Sequence, residues 1–277
     1  MPAEDVVPEA IKQIAAEQAE RLTPLEAAHV RGWREAAAAA PAPVALDLTV
    51  GYDSEYYYRG LWFSNQNAWY NIGASKKLSD TTTLNALAYY TSSNDRRSLY
   101  QELDLGASLA YDAGFATLTA GYTYFFFLNG YVGNGAGQTF ASEFFVSAAK
   151  TVGPVNVTAT YAYDLYIDAG YAELAVDKSF ALSDSTSLVL KAVAGYSVGG
   201  YYTAFDGSGY NIGTESAWTH VAVTASLPIA LSKTATLTPY VSYNMSGAGR
   251  TESNTAASAF GGDDDQLFFG ASIKAVF

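Results

Sequence analysis

From Val44 onward the chain alternates between apolar and polar residues. In "ALDLTVGYDSEYYYRG", Leu46, Leu48, Val50, Tyr52, Tyr56 and Tyr58 fall on one face, while Asp47, Thr49, Gly51, Asp53, Glu55, Tyr57 and Arg59 fall on the other. "SLYQELDLGASLAY" separates Leu99, Leu103, Leu105, Leu109 and Tyr111 from Tyr100, Glu102, Asp104 and Ser108. "VNVTATYAYDLYID" separates Val155, Val157, Tyr161, Tyr163, Leu165 and Ile167 from Asn156, Thr158, Thr160, Asp164 and Asp168. A period of two sustained this long predicts β-strands with one apolar face. About twelve are expected, near 44–60, 65–78, 82–92, 98–112, 115–128, 138–151, 155–168, 170–181, 185–199, 214–228, 234–246 and 265–277.

The connections carry the second signal. "KLSDTT", "DAG", "VGP", "LSDST" and "LSKT" are short. Most of those between them are longer and polar, as in "LNGYVGNGAGQ" and "GAGRTESNTAASAFGGDDD". Short turns at one end and long loops at the other are the pattern of a membrane-spanning barrel with periplasmic turns and extracellular loops. The expected fold is therefore all-β, a transmembrane antiparallel up-and-down β-barrel of about twelve strands over 44–277. An even strand count places both barrel termini on the periplasmic, short-turn side.

Before Val44 the period changes. Val7, Ile11, Ile14 and Leu22 follow near-helical spacing, and Thr23, Pro24 and Glu26 make a capping box before a second helix. Residues 1–43 are thus expected to be a short α-helical periplasmic extension ending in the "AAAAAPAP" linker. Plug, docking element for a periplasmic partner or a second copy, and charged spacer are three readings of it. "MPAEDVVPEA" has no apolar h-region, so an exported protein with this numbering is expected to be a mature or re-engineered form.

Composition sharpens the reading. Charged residues are only 15% of the 277 and aromatic residues 14%, with 22 Tyr; soluble domains carry roughly 25% charge. A soluble sandwich or barrel also alternates, but its polar face meets water. Here the polar face carries carboxylates that a dry core would not hold unpaired. On the apolar face Lys76, Lys150 and Lys178 lie near turns, where they can snorkel. The net charge of -12 opposes nucleic-acid binding, and the absence of cysteine removes disulfide and thiol chemistry. No apolar run reaches the roughly 20 residues of a membrane-spanning helix.

Two stretches resemble known outer-membrane proteins. The final strand places Phe269, Ile273 and Phe277 on its apolar face. An alternating C-terminal strand ending on Phe resembles the signal read by the outer-membrane insertion machinery, which would be a partner alongside outer-membrane lipid and lipopolysaccharide. "YDSEYYYRGLWFSNQNAWYNIGASKKL" resembles the first hairpin of the porin-like bacterial outer-membrane family Gcw_chp, through Tyr58, Arg59, Gly60, Ser64 and Asn65. The resemblance implies a bacterial outer-membrane barrel and no particular activity.

Parity assigns the lumen-lining residues as Asp53, Glu55, Arg59, Glu102, Asp104, Glu143, Asp164, Glu173, Asp177, Lys191, His220 and Lys274. An acid-rich lumen concentrates cations and repels anions; the same groups could equally pair with one another and fill the interior. Tyr57, Trp69, Tyr100, Phe125, Phe127, Phe145, Tyr166, Trp218, Tyr240 and Phe268 are expected on the same face, as stacking platforms or as filling. His220 is the only histidine of the barrel region, His29 lying in the helical part, and no serine follows it in the outer-membrane phospholipase pattern. A catalytic site, a metal site and a cofactor are therefore not expected, and the "DDD" run at 263–265 reads as a solvated loop. The expected function is passive passage of small cationic or neutral solutes. A closed barrel with a structural, anchoring or assembly role is the alternative.

Overall fold

The computed structural model describes residues 43–94, 100–128, 139–200, 216–246 and 265–277. The helices expected between residues 1 and 43, and Asp263 and Asp264, lie outside the described residues. Val44–Phe277 forms one compact unit. Its strands are β1 (Ala45–Tyr58), β2 (Leu61–Lys77), β3 (Thr82–Ser93), β4 (Gln101–Asp112), β5 (Thr117–Phe127) and β6 (Phe140–Val152). They continue as β7 (Val155–Asp164), β8 (Ala169–Ala181), β9 (Ser187–Val198), β10 (Ala217–Ser226), β11 (Ile229–Ala230), β12 (Ala235–Ser246) and β13 (Asp265–Val276).

From β1 to β10 each strand pairs antiparallel with the next, β12 pairs with β13, and β13 returns to β1. The pairing of β10 with β12 completes the ring, and the two-residue β11 sits as an appendage on β12. Twelve long strands thus form a closed antiparallel barrel, each paired on both sides along part or all of its length. At one end the turns are tight. Gly114 and Gly153 supply the left-handed backbone (φ 79° and 58°) that two of them require. The first and last strands meet at this same end, where Phe277 N–H donates to the Leu46 carbonyl at 2.9 Å.

The two faces differ in chemistry as alternation requires. The outer face exposes Leu48, Ile72, Leu105, Leu109, Val146, Leu174, Val223, Phe269 and Ile273, an apolar belt far beyond the few hundred Å² that water-facing surfaces usually present. The inner face carries Asp53, Asn67, Thr91, Glu102, Glu143, Ser242 and Asn244, all buried. Bulky inner rings are seated opposite glycines: a side chain at Gly51 would strike the Trp69 indole, and one at Gly121 would strike the Phe145 ring and Ser108.

Three strand expectations need correction. The first hairpin has no loop over 61–64; β2 already begins at Leu61, and Arg59 and Gly60 alone make the turn, both with positive φ (52° and 80°). Strand β7 stops at Asp164, four residues short of the expected end. The Asp164 carboxylate accepts the Tyr166 and Ile167 N–H groups at 2.8 and 3.2 Å and turns the chain before Asp168, itself at φ 56°. Local side-chain acceptors of this kind compete with the ladder whatever the apolar periodicity says. Trp218 is not on the inner face: a bulge between Trp218 and His220 shifts the register, and the indole stands 61% exposed against Tyr196.

The seat opposite Trp69 gives a test. Gly51→Val is expected to displace the indole and lower barrel stability by ~1–3 kcal/mol, read as a lower urea midpoint for the folded, reconstituted protein with heat-modifiable gel mobility as the check on folding.

Candidate functional site

The ladders show where the wall is interrupted. Strand β1 pairs with β13 only up to Asp53↔Gly270, and β2 pairs with β3 only from Asn67↔Ser93 onward. The β1–β2 ladder nevertheless continues to Tyr58↔Leu61, with a register shift at Tyr56/Tyr57. Residues 54–66 therefore form a hairpin that has left both neighbouring strands. At its base, Phe269 N–H donates to Ser54 Oγ at 3.0 Å, Asn94 N–H donates to the Gln66 carbonyl at 2.9 Å, and Ser93 Oγ–H donates to the Asn65 carbonyl at 2.8 Å.

This hairpin lies inside the barrel, and its contacts reach strands all round the ring. Tyr56 Oη–H donates to Glu102 of β4 at 3.4 Å, and Tyr58 packs edge-on to Phe125 of β5 at 6.2 Å. The Arg59 guanidinium meets both carboxylate oxygens of Glu143 on β6 at 2.9 Å each. Its plane is held between the rings of Tyr58 and Tyr171 of β8, 4.7 and 4.6 Å from their centroids. Asn244 of β12 donates to the Gly60 carbonyl at 3.5 Å, and a side chain at Gly60 would collide with His220 of β10. Phe63 completes an aromatic cluster with Tyr56, Tyr58, Tyr100, Phe125 and Phe127. Tyr56 and Tyr58, expected on the outer face, are thus turned inward. The departure of the hairpin from the wall removes the parity that would have pointed them out.

The predicted lumen residues fall into distinct settings. Asp53 accepts the Tyr240 hydroxyl at 2.6 Å, and Glu55 accepts Gln266 Nε2–H at 2.7 Å. Glu102 accepts Tyr100 Oη–H at 2.7 Å, with Asp104 two residues along the same face. Arg59 and Glu143 are paired, and Asp164 caps the β7–β8 turn. Glu173 accepts Tyr171 Oη–H at 3.0 Å. His220 is buried, with Nδ1 at 3.1 Å from Thr219 Oγ1 and its ring stacked over Tyr171. Toward the short-turn end, Asp177 accepts Asn156 Nδ2–H at 2.9 Å, while Lys191 lies exposed in register with Asp177. Lys274 forms an ion pair with Asp47 at 3.3 Å. Phe269, Ile273 and Phe277 stand exposed on the outer face.

The interior is consequently uneven along its axis. In the half nearest the longer connections, Ser64, Asn67, Thr91, Ala162 and Thr219 have no exposed surface at all. In the other half, a cavity of about 300 Å³ is lined by small and polar residues, among them Asp47, Ser75, Asn85, Ser108 and Thr123. Sequence reading missed the hairpin's partners Asn67, Tyr171 and Asn244, and Thr91, which accepts from Asn67. One signal was present: "RG" between aromatic strands fits a two-residue hairpin turn with glycine second.

The architecture belongs to the class of closed antiparallel barrels, and comparison with solved structures agrees at that level. The fold is similar to an outer membrane channel from Pseudomonas putida F1, with a TM-score of 0.52 and 13% identity over 86% of this chain and 97% of that one. It is also similar to the translocator domain of the autotransporter NalP from Neisseria meningitidis, with a TM-score of 0.50 and 12% identity over 99% of both chains. At such identities the likeness is one of fold. No protein-family model matches the sequence, and no curated protein matches it significantly. The likeness of the first hairpin to the Gcw_chp family therefore stays a resemblance.

The buried acid–tyrosine contacts predict an asymmetry. Tyr100→Phe removes a buried donor to a carboxylate and is expected to cost about 1–3 kcal/mol in urea unfolding. Tyr163→Phe removes the donor of the exposed Tyr163–Asp168 contact and is expected to leave the midpoint unchanged.

Proposed function

We propose that the chain is a porin-like bacterial outer-membrane barrel that passes small cationic or neutral solutes, with its first hairpin as the constriction. The observation that carries this reading is the division of chemistry between the two faces. The outer surface is an apolar belt suited to hydrocarbon, and the inner surface holds carboxylates in excess of bases. Glu143 is matched by Arg59, and Asp47 by Lys274. Asp53, Glu55, Glu102 and Glu173 have neutral hydroxyl or amide donors instead. A neutral donor does not cancel a carboxylate's charge as a cation would, and on this reading the ionised members of the set give the interior a field that favours cations.

The fold shared with an outer membrane channel supports this reading. On it, both barrel termini and residues 1–43 lie on the periplasmic side, Phe269, Ile273 and Phe277 belong to the strand presented to the insertion machinery, and lipid and lipopolysaccharide surround the belt. The first hairpin also makes membership of the Gcw_chp family part of the proposal. A second reading, a closed barrel with a structural or anchoring role, is favoured by one feature, the fully buried interior around Ser64, Asn67 and Thr91.

Planar-bilayer recording across a KCl gradient separates the two. A channel gives stable steps whose reversal potential reports cation preference, and the Glu102→Gln/Asp104→Asn variant is expected to move that potential toward zero. A silent bilayer containing folded protein supports the closed barrel.

A further inference from the structure

We infer that the 54–66 hairpin is a latch: the Arg59–Glu143 ion pair holds it across the lumen, and breaking that pair lets the tip leave the interior.

Three observations lead there. The hairpin carries its own ladder out to Tyr58↔Leu61, so swinging its tip breaks no strand ladder of the wall, and the wall bonds at Ser54, Asn65 and Gln66 stay at its base as the hinge. Its tip and one side of its base hold non-glycine residues in left-handed backbone, Arg59 at φ 52° and Gln66 at φ 51°. Such residues persist where surroundings over-determine them, and they gather at clamps and switches. Asp168 is the only other example among the described residues. The charged contact at the tip is specific: the Arg59 guanidinium donates to Glu143 Oε1 and lies 2.9 Å from Oε2, a contact for which lysine is not an equivalent donor.

The energetics suit a latch rather than a weld. A buried ion pair adds little net stability once desolvation is counted, yet losing one partner leaves an uncompensated buried charge. The intact pair is therefore close to neutral for the closed state, whereas a lone buried Arg59 or Glu143 disfavours it. The aromatic contacts of Tyr56, Tyr58 and Phe63 hold the hairpin in at rest. These are the contacts an entering solute would have to displace.

The absence of native cysteine makes the test direct. Ser64 lies on the hairpin with no exposed surface, and Ser64→Cys is close to isosteric. In the otherwise unaltered protein, folded in vesicles, the introduced thiol is expected to resist a water-soluble maleimide. Adding Arg59→Ala or Glu143→Gln is expected to speed labelling by about ten-fold or more, the factor given by ~1.4 kcal/mol in the open–closed balance. The exchange Arg59→Glu/Glu143→Arg is expected to restore protection, which mere loosening would not do. Each variant is scored only with native heat-modifiable mobility, and Glu143→Gln decides if Arg59→Ala does not fold. A thiol protected in every folded variant overturns the latch and makes the hairpin a fixed part of the interior. The consequence for passage rests on the channel reading, and the two fail separately. Fast labelling in a silent bilayer keeps the latch and removes the channel; steady conductance with the thiol protected throughout does the reverse.

Discussion

Every strand of a closed barrel must find a hydrogen-bonding neighbour on both sides, and this requirement governs the molecule. Ten strands meet it along the wall by pairing with their neighbours over most of their length. The two that do not, β1 and β2, satisfy each other above Asp53 and Asn67 and so are free to leave the wall together. A single strand could not do this, because its exposed amides would have no partner. The internal hairpin thus leaves the wall with its own backbone ladder intact.

What the hairpin meets inside follows from electrostatics. A guanidinium brought into a narrow interior needs a carboxylate, and Glu143 supplies it; the tyrosine rings on either side shield the pair from competing water. Asp53, Glu55 and Glu102 are held by hydroxyl and amide donors, which fix their geometry without an opposing charge. Packing and field are thus produced by the same residues: the interior near the hairpin is filled, and it is filled with acid. Beyond it, toward the tight turns, small residues such as Gly73, Ser75, Gly106 and Ser108 leave open space.

The barrel was legible because alternation, turn length and an even strand count are local features that point the same way. Asp53, Glu102, Asp104 and Glu143 could be placed on one face by parity alone, since their strands stay in the wall. Parity failed at Tyr56, Tyr58 and Trp218, where a hairpin or a bulge breaks the period, and the expected length failed beyond Asp164, whose side chain ends the strand early. Nor could it show that Arg59 would meet Glu143, 84 residues away. Such a contact depends on how the ring closes, which no window of sequence contains.

The seam between β1 and β13 joins the two ends of the barrel chain, and the hairpin springs from the strand that makes it. Contacts so distant in sequence form late, after their closure entropy has been met. The hairpin is local and can form early. Its tip must then be in the interior, or must enter through the open end, by the time β13 docks on β1. Order of assembly, as well as final energy, thus bears on which side of the wall Arg59 occupies.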